Sequence, residues 1–239
     1  MSFPHAAHCS MWTTMNSTQM TETNAALKPE KRGRAISSVA SAQLSKLGAW
    51  IDNNSGWLAI GLILAAFAVR LAYASACYLN PDEAQHFNAA RPNSWVGAYK
   101  AACLLAHPPL LIMLLHAILF LGRTELILRV PSLVGGTVAL WLTFAWIRRT
   151  LGASPALAGL LFMAISASAI SASTEVRQYG LLLCFVCGAL YATQRAVSES
   201  STRYAIVQGL FLVGAVLTHY TAPVTSWLPM PARKANDYF

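Results

Sequence analysis

Charge is scarce in this sequence. Of its 239 residues only 11% are Asp, Glu, Lys or Arg, against roughly 25% in an ordinary soluble domain. A soluble fold of this size needs polar residues over its whole outer face, and this chain does not supply them. A hydrophobic content of 56% also excludes a disordered chain, which is poor in apolar residues. Acidic residues are the scarcest charges: nine, against 17 Lys and Arg, for a formal net charge of +8. Cysteine is sparse too. Cys9, Cys77, Cys103, Cys184 and Cys187 are odd in number and irregular in spacing, so they offer no disulfide framework. Cys184-Phe-Val-Cys187 has CxxC spacing, but it lies in an apolar run with no second pair, and reads as small residues packing in a helix. No basic groove is interleaved with stacking aromatics, so the positive excess does not point to nucleic acid. The basic residues sit at the ends of apolar runs, where topology and lipid headgroups account for them. What is left is a polytopic helical membrane protein.

Residues 1–50 are polar, rich in Ser, Thr and Asn, and contain no long apolar stretch of the kind a cleavable signal needs. They are expected to form a disordered cytoplasmic arm, with Lys28, Lys31, Arg32, Arg34 and Lys46 holding that end inside. Six apolar runs follow: Trp57–Leu79, Leu104–Leu121, Pro131–Ile147, Pro155–Ser171, Tyr179–Thr193 and Ala205–Ala222. They are continuously apolar rather than alternating, which selects helices over a barrel. Gly122, Gly152, Pro131 and Pro155 mark boundaries between them. Residues 51–225 then form the transmembrane part, and 226–239 an aberrant polar tail.

The second run is short in its apolar part and begins at His107-Pro108-Pro109. If all six runs span, Arg148-Arg149, Arg195 and Arg203 fall outside. If the second run lies in the interface, all of these fall on the cytoplasmic side. Asp82, Glu83, His107, Glu175, Arg177 and His219 then gather on the outer face. The second arrangement obeys the positive-inside bias. It gives an all-α bundle of about five spans, with interfacial helices in the first outer loop.

Ionisable groups at a membrane are costly, and each one needs a reason. Asn80-Pro81-Asp82-Glu83-Ala84-Gln85-His86 follows the first span. Pro81 stops one helix, and Asp82 and Glu83 open the next, where the helix dipole favours anions. Helix capping is one reading of the pair. A general base, or a site for Mg or Mn with carboxylate oxygens as ligands, is the other. Ser173 to Tyr179 joins two later runs. Glu175 and Arg177 are either a headgroup-level ion pair or a phosphate site built on the planar guanidinium. Tyr179 suits an interfacial position. His107, His86 and His219 are either interfacial polar residues or substrate contacts. Arg70, inside the first span, either snorkels outward or has a buried partner.

The order of these pieces resembles a family. An Asp-Glu pair follows Pro after the first span. His-Pro-Pro-Leu comes next, then Gly122-Arg123-Thr124-Glu125 through Leu128-Arg129-Val130-Pro131-Ser132-Leu133, a span ending in Arg148-Arg149, and a Ser-x-Glu-x-Arg-x-Tyr turn at 173–179. The set is similar to the GT-C membrane glycosyltransferases, in particular the branch of protein O-mannosyltransferases and of aminoarabinose and galacturonic acid transferases. The resemblance covers about Trp57 to Pro223. It implies transfer of a sugar from a polyprenyl-phosphate donor to a lipid or protein acceptor, on the periplasmic face of a bacterial inner membrane. It implies Asp82 as the base, Glu83 as its assistant or, with Asp82, a metal ligand, and Glu175 as a second acid. Arg177 and His107 would contact the donor phosphate, with Tyr179, His86 and His219 nearby. The family is longer, so the chain reads as the N-terminal part of such an enzyme. A non-catalytic membrane subunit, transporter-like or structural, and an inactive remnant are the alternatives.

Overall fold

A computed structural model of the chain describes residues 43, 45–105 and 108–220. The chain divides into two compact units, Met1–Asn53 and Asn54–Phe239, and the geometry below belongs to the second. The described residues form nine helices and no strand. They are α1 (Ser45–Ala76), α2 (Pro81–Ala90), α3 (Trp95–Leu104), α4 (Leu110–Ile118), α5 (Glu125–Leu151), α6 (Ala153–Ile165), α7 (Ala167–Thr174), α8 (Tyr179–Glu199) and α9 (Thr202–Thr218). The fold is an all-α membrane bundle, as the composition requires.

Helices α1, α5 and α8 are each long and apolar enough to cross a bilayer, and α6 with α7, bent by 64°, forms either a broken span or a re-entrant loop. At 17 residues, α9 is at the short end of what spans. Against the expected five spans, the described residues hold three helices of spanning length, or four if the bent pair is one span, and α9 is a shorter apolar helix. The Leu104–Leu121 run does not span: it is split between α3 and the nine-residue α4. Three short helices thus connect α1 to α5. Pro131, read above as a boundary, lies inside α5, which begins at Glu125. As the seventh residue of the helix, Pro131 removes one i→i−4 hydrogen bond, an interruption that membrane helices tolerate.

Glycines set how closely the spans approach. A Cβ added at Gly180 of α8 would meet the Ser132 carbonyl oxygen of α5 at 2.7 Å, and one at Gly135 would meet the Gly180 carbonyl at 2.9 Å. Backbone therefore packs on backbone, the way membrane helices gain dispersion contacts without a hydrophobic drive. Gly136 makes the same room for Ser173 of α7. Between α8 and α9 the fit is reciprocal. The Phe211 ring covers Gly188 and the Phe185 ring covers Gly214, with ring centroids 6.4 Å apart.

Two apolar clusters result. Ala59 and Ala66 of α1 join Leu140 and Phe144 of α5 and Ala156, Leu160 and Ala164 of α6. Ala90, Ala102, Leu111, Ile112, Leu115, Leu128 and Val176 pack α2, α3, α4 and α5 beneath the turn after α7. The outer faces remain apolar: Trp57, Leu64, Ile206 and Leu210 are each at least 60% exposed. In water that surface is a liability, whereas lipid tails leave it unpenalised.

A candidate active site where two loops meet

The first loop is built by a cap. Asn80 precedes α2 and accepts the Glu83 backbone N–H at 2.9 Å; Glu83 Oε2 returns the bond from the Asn80 backbone N–H at 2.8 Å. This capping box satisfies two donors that a helix start leaves open, and Pro81 lacks the donor it would otherwise leave open. The helix then imposes opposite fates on adjacent carboxylates. Glu83 points inward and is 1% exposed, while the Asp82 side chain is 60% exposed.

Glu83 is fully engaged. Its Oε1 accepts the Val176 backbone N–H at 2.6 Å, and its Oε2 also faces Arg129 Nη2 at 3.4 Å. Arg129 in turn donates to the carbonyls of Ala74, of Cys77 at 2.8 Å and of Tyr78 at 3.1 Å. One buried guanidinium therefore caps the C-terminal end of α1, where backbone oxygens have lost their helical partners. It ties that end to α5 and, through Glu83, to the turn after α7. Sequence reasoning missed this role for Arg129. The available signal was the presence of an arginine in an apolar stretch, where a charge requires partners.

Asp82 takes the exposed side of the same junction. Arg177 Nη2 donates to Asp82 Oδ2 at 2.9 Å, and Arg177 Nη1 lies 3.6 Å from Glu175 Oε2. Glu175 ends α7 and also accepts the Ser171 hydroxyl. The Arg177 guanidinium sits 5.3 Å from the Tyr179 ring centroid, a cation–π arrangement. Tyr179 stacks on His219 with centroids 6.1 Å apart. The fold therefore brings Asp82, Glu175, Arg177, Tyr179 and His219 into one chain of contacts, from three separate sequence segments.

His86 is held against the backbone of Asp82. It is 4% exposed, and its Nδ1 lies 2.8 Å from the Asp82 carbonyl oxygen, one helical turn back. His107 lies outside the described residues. The Asp82–Glu83 pair does not fit a divalent cation as placed. Glu83's oxygens already face three nitrogen donors, and the two carboxylates diverge. Among the described residues no three His, Cys, Asp or Glu side chains converge on a metal position.

The two ion pairs differ in kind. Exposed pairs such as Asp82–Arg177 contribute roughly 0–1 kcal/mol, so Arg177 can exchange one partner for another at small cost. Removing one member of a buried pair such as Glu83–Arg129 costs about 3–5 kcal/mol. The first is an adaptable surface, the second a fixed frame.

A family model described as dolichyl-phosphate-mannose-protein mannosyltransferase matches residues 106–227, just over half of the chain. The chain belongs to this family. It is thus an integral membrane protein of a glycosyltransferase family whose donors are sugars on polyprenyl phosphates. The mannosyltransferase match covers Arg129, Glu175, Arg177, Tyr179 and His219, while Asp82 and Glu83 precede it. Neither a curated protein nor a solved structure matches the chain.

Proposed function

We propose that the chain transfers a sugar from a polyprenyl-phosphate donor to a hydroxyl of a lipid or protein acceptor, at the outer face of a bacterial inner membrane. The observation that carries this is the 2.9 Å pairing of exposed Asp82 with Arg177, flanked by Glu175 and the Tyr179–His219 stack. It sets a carboxylate beside a phosphate-type guanidinium on an accessible surface. The donor phosphate competes with Asp82 for the Arg177 fork, which binds phosphate in two-point fashion. Asp82 is then released to act as a base. It takes the proton of the acceptor hydroxyl as that oxygen attacks the anomeric carbon. The bond from the anomeric carbon to the phosphate oxygen breaks, and polyprenyl phosphate leaves with the electron pair. Arg177 meets the negative charge that develops on it. A single displacement inverts the anomeric carbon and needs only one such carboxylate. Glu175 keeps Arg177 at the site, and Glu83 holds the turn that carries both.

Sidedness is supported by charge. Arg148, Arg149, Arg195 and Arg203 lie at the opposite helix ends from Asp82 and His219, where Arg149 and Arg195 both meet Glu199. The basic end then faces the cytoplasm. Sealed vesicles of known orientation, carrying the full chain, test the proposal with radiolabelled polyprenyl-phosphate mannose. Label should pass to acceptors when the outer face is exposed to the donor, and only after detergent when it is not. Incorporation no greater than in vesicles lacking the chain would contradict the proposal.

A further inference from the structure

Arg70 lies within α1 and is completely buried, and among the described residues it forms no ion pair with a carboxylate. Its Nη1 donates to the Ala66 carbonyl of its own helix at 3.2 Å and to the Ala164 carbonyl at 3.3 Å; its Nη2 donates to the Met163 carbonyl at 3.2 Å. The two distant acceptors are in the last turn of α6, which ends at Ile165 before the 64° bend into α7. In an unbroken helix, the Met163 and Ala164 carbonyls would accept the N–H groups of residues 167 and 168. Ser166 leaves helical geometry, with φ −63° and ψ 120°, and those bonds are lost. No proline or glycine lies at the break. The Arg70 guanidinium replaces both lost donors, and its charge lies at the negative end of the α6 dipole. On the other side, the Ser166 hydroxyl caps α7 by accepting the Ala169 N–H at 3.4 Å.

The bend has a consequence for the site. It lays α7 into the room left by Gly136 and Gly180, where the Ser173 side chain and the Ala172 carbonyl sit. Helix α7 then ends at Glu175, whose carboxylate is 3.6 Å from Arg177. A straight helix through Ser166 would carry Glu175 and the Val176 N–H away from Glu83 and Asp82.

We infer that Arg70 is a positioning residue for the transfer site: by capping the broken end of α6 it sets the direction of α7, and so the place of Glu175 and Arg177 beside Asp82. The functional half of this inference rests on the reading above. It is tested on the full chain with native cysteines replaced by serine and spin labels at positions 154 and 172. Helical rise puts these positions about 23 Å apart with the bend and about 27 Å apart without it. Arg70→Met fills the space without donors. The label distance should lengthen by about 4 Å, and the transfer rate at saturating polyprenyl-phosphate mannose should fall roughly ten- to a hundredfold. Arg70→Lys keeps the charge but brings a compact ammonium in place of the two-armed fork. It should give a smaller lengthening and a smaller loss, and it serves as the test if the methionine variant does not insert. A wild-type distance in the variant measured, or a lengthened one with wild-type turnover, would overturn the inference. If the wild type itself transfers no label, the proposed function has failed. The distance alone then decides whether Arg70 holds the bend.

Discussion

Replacing Glu83 by glutamine changes one oxygen to an amide nitrogen, and the structure makes that small change expensive. The carboxylate accepts from the Val176 N–H at 2.6 Å and the Asn80 N–H at 2.8 Å, and faces Arg129 at 3.4 Å. Glutamine has one acceptor oxygen. If it keeps Val176, its NH2 group faces the donors of Asn80 and Arg129. The Arg129 charge, 2% exposed, then loses its Glu83 carboxylate. Stranding a buried charge costs about 3–5 kcal/mol, and a lost reciprocal cap adds roughly 1 kcal/mol. The neighbouring substitution, Asp82→Asn, weakens only an exposed pair worth about 0–1 kcal/mol. Unfolding in detergent, followed by the fluorescence of the seven tryptophans, measures both. Glu83→Gln should lower stability by several kcal/mol, and Asp82→Asn by less than about 1 kcal/mol. Adding Arg129→Met to Glu83→Gln should cost less than the sum of the two single changes, because no buried charge is left unpaired. Equal stability losses for the two adjacent acids would refute the division between frame and site.

Three further outcomes follow from the packing and charges. Gly180→Ala places a Cβ 2.7 Å from the Ser132 carbonyl; α5 and α8 must separate, at about 1–3 kcal/mol, read as a lower thermal midpoint in detergent. Arg177→Lys keeps the charge but cannot serve Asp82, Glu175 and a phosphate through a fork, so the donor KM should rise roughly tenfold, the equivalent of about 1.4 kcal/mol, with insertion unchanged. Glu199→Gln loosens only half-exposed contacts to Arg149 and Arg195 at the opposite helix ends; stability should shift by less than about 1 kcal/mol and transfer should stay at the wild-type level.

Hydropathy located the spans because lipid demands long apolar stretches, and the positive-inside bias separated the non-spanning second run from the others. The gathering of Asp82, Glu175, Arg177 and His219 was legible for the same reason: scarce charges in a membrane protein collect at its ends. The division of labour between Asp82 and Glu83 was partly legible. Asn80-Pro-Asp-Glu83 has capping-box spacing, which places the fourth residue back on the cap and leaves the third outside. Sequence alone does not show that Glu83 also reaches Val176, because that bond joins residues 93 apart along the chain. The break at Ser166 carried no local signal, since neither proline nor glycine marks it and its stabilising donors come from Arg70 on another helix. Helix ends were misplaced at Pro131 because hydropathy reports the apolar stretch rather than where hydrogen bonding starts.

The central claim is that the Asp82–Arg177 junction carries out sugar transfer. Its most direct measurement is the transfer of label from polyprenyl-phosphate mannose by the full chain in proteoliposomes, comparing wild type with Asp82→Asn at matched insertion. Loss of a general base predicts a rate at least about a hundredfold lower, with stability within about 1 kcal/mol of wild type. Transfer by a well-inserted Asp82→Asn protein at the wild-type rate would contradict the account.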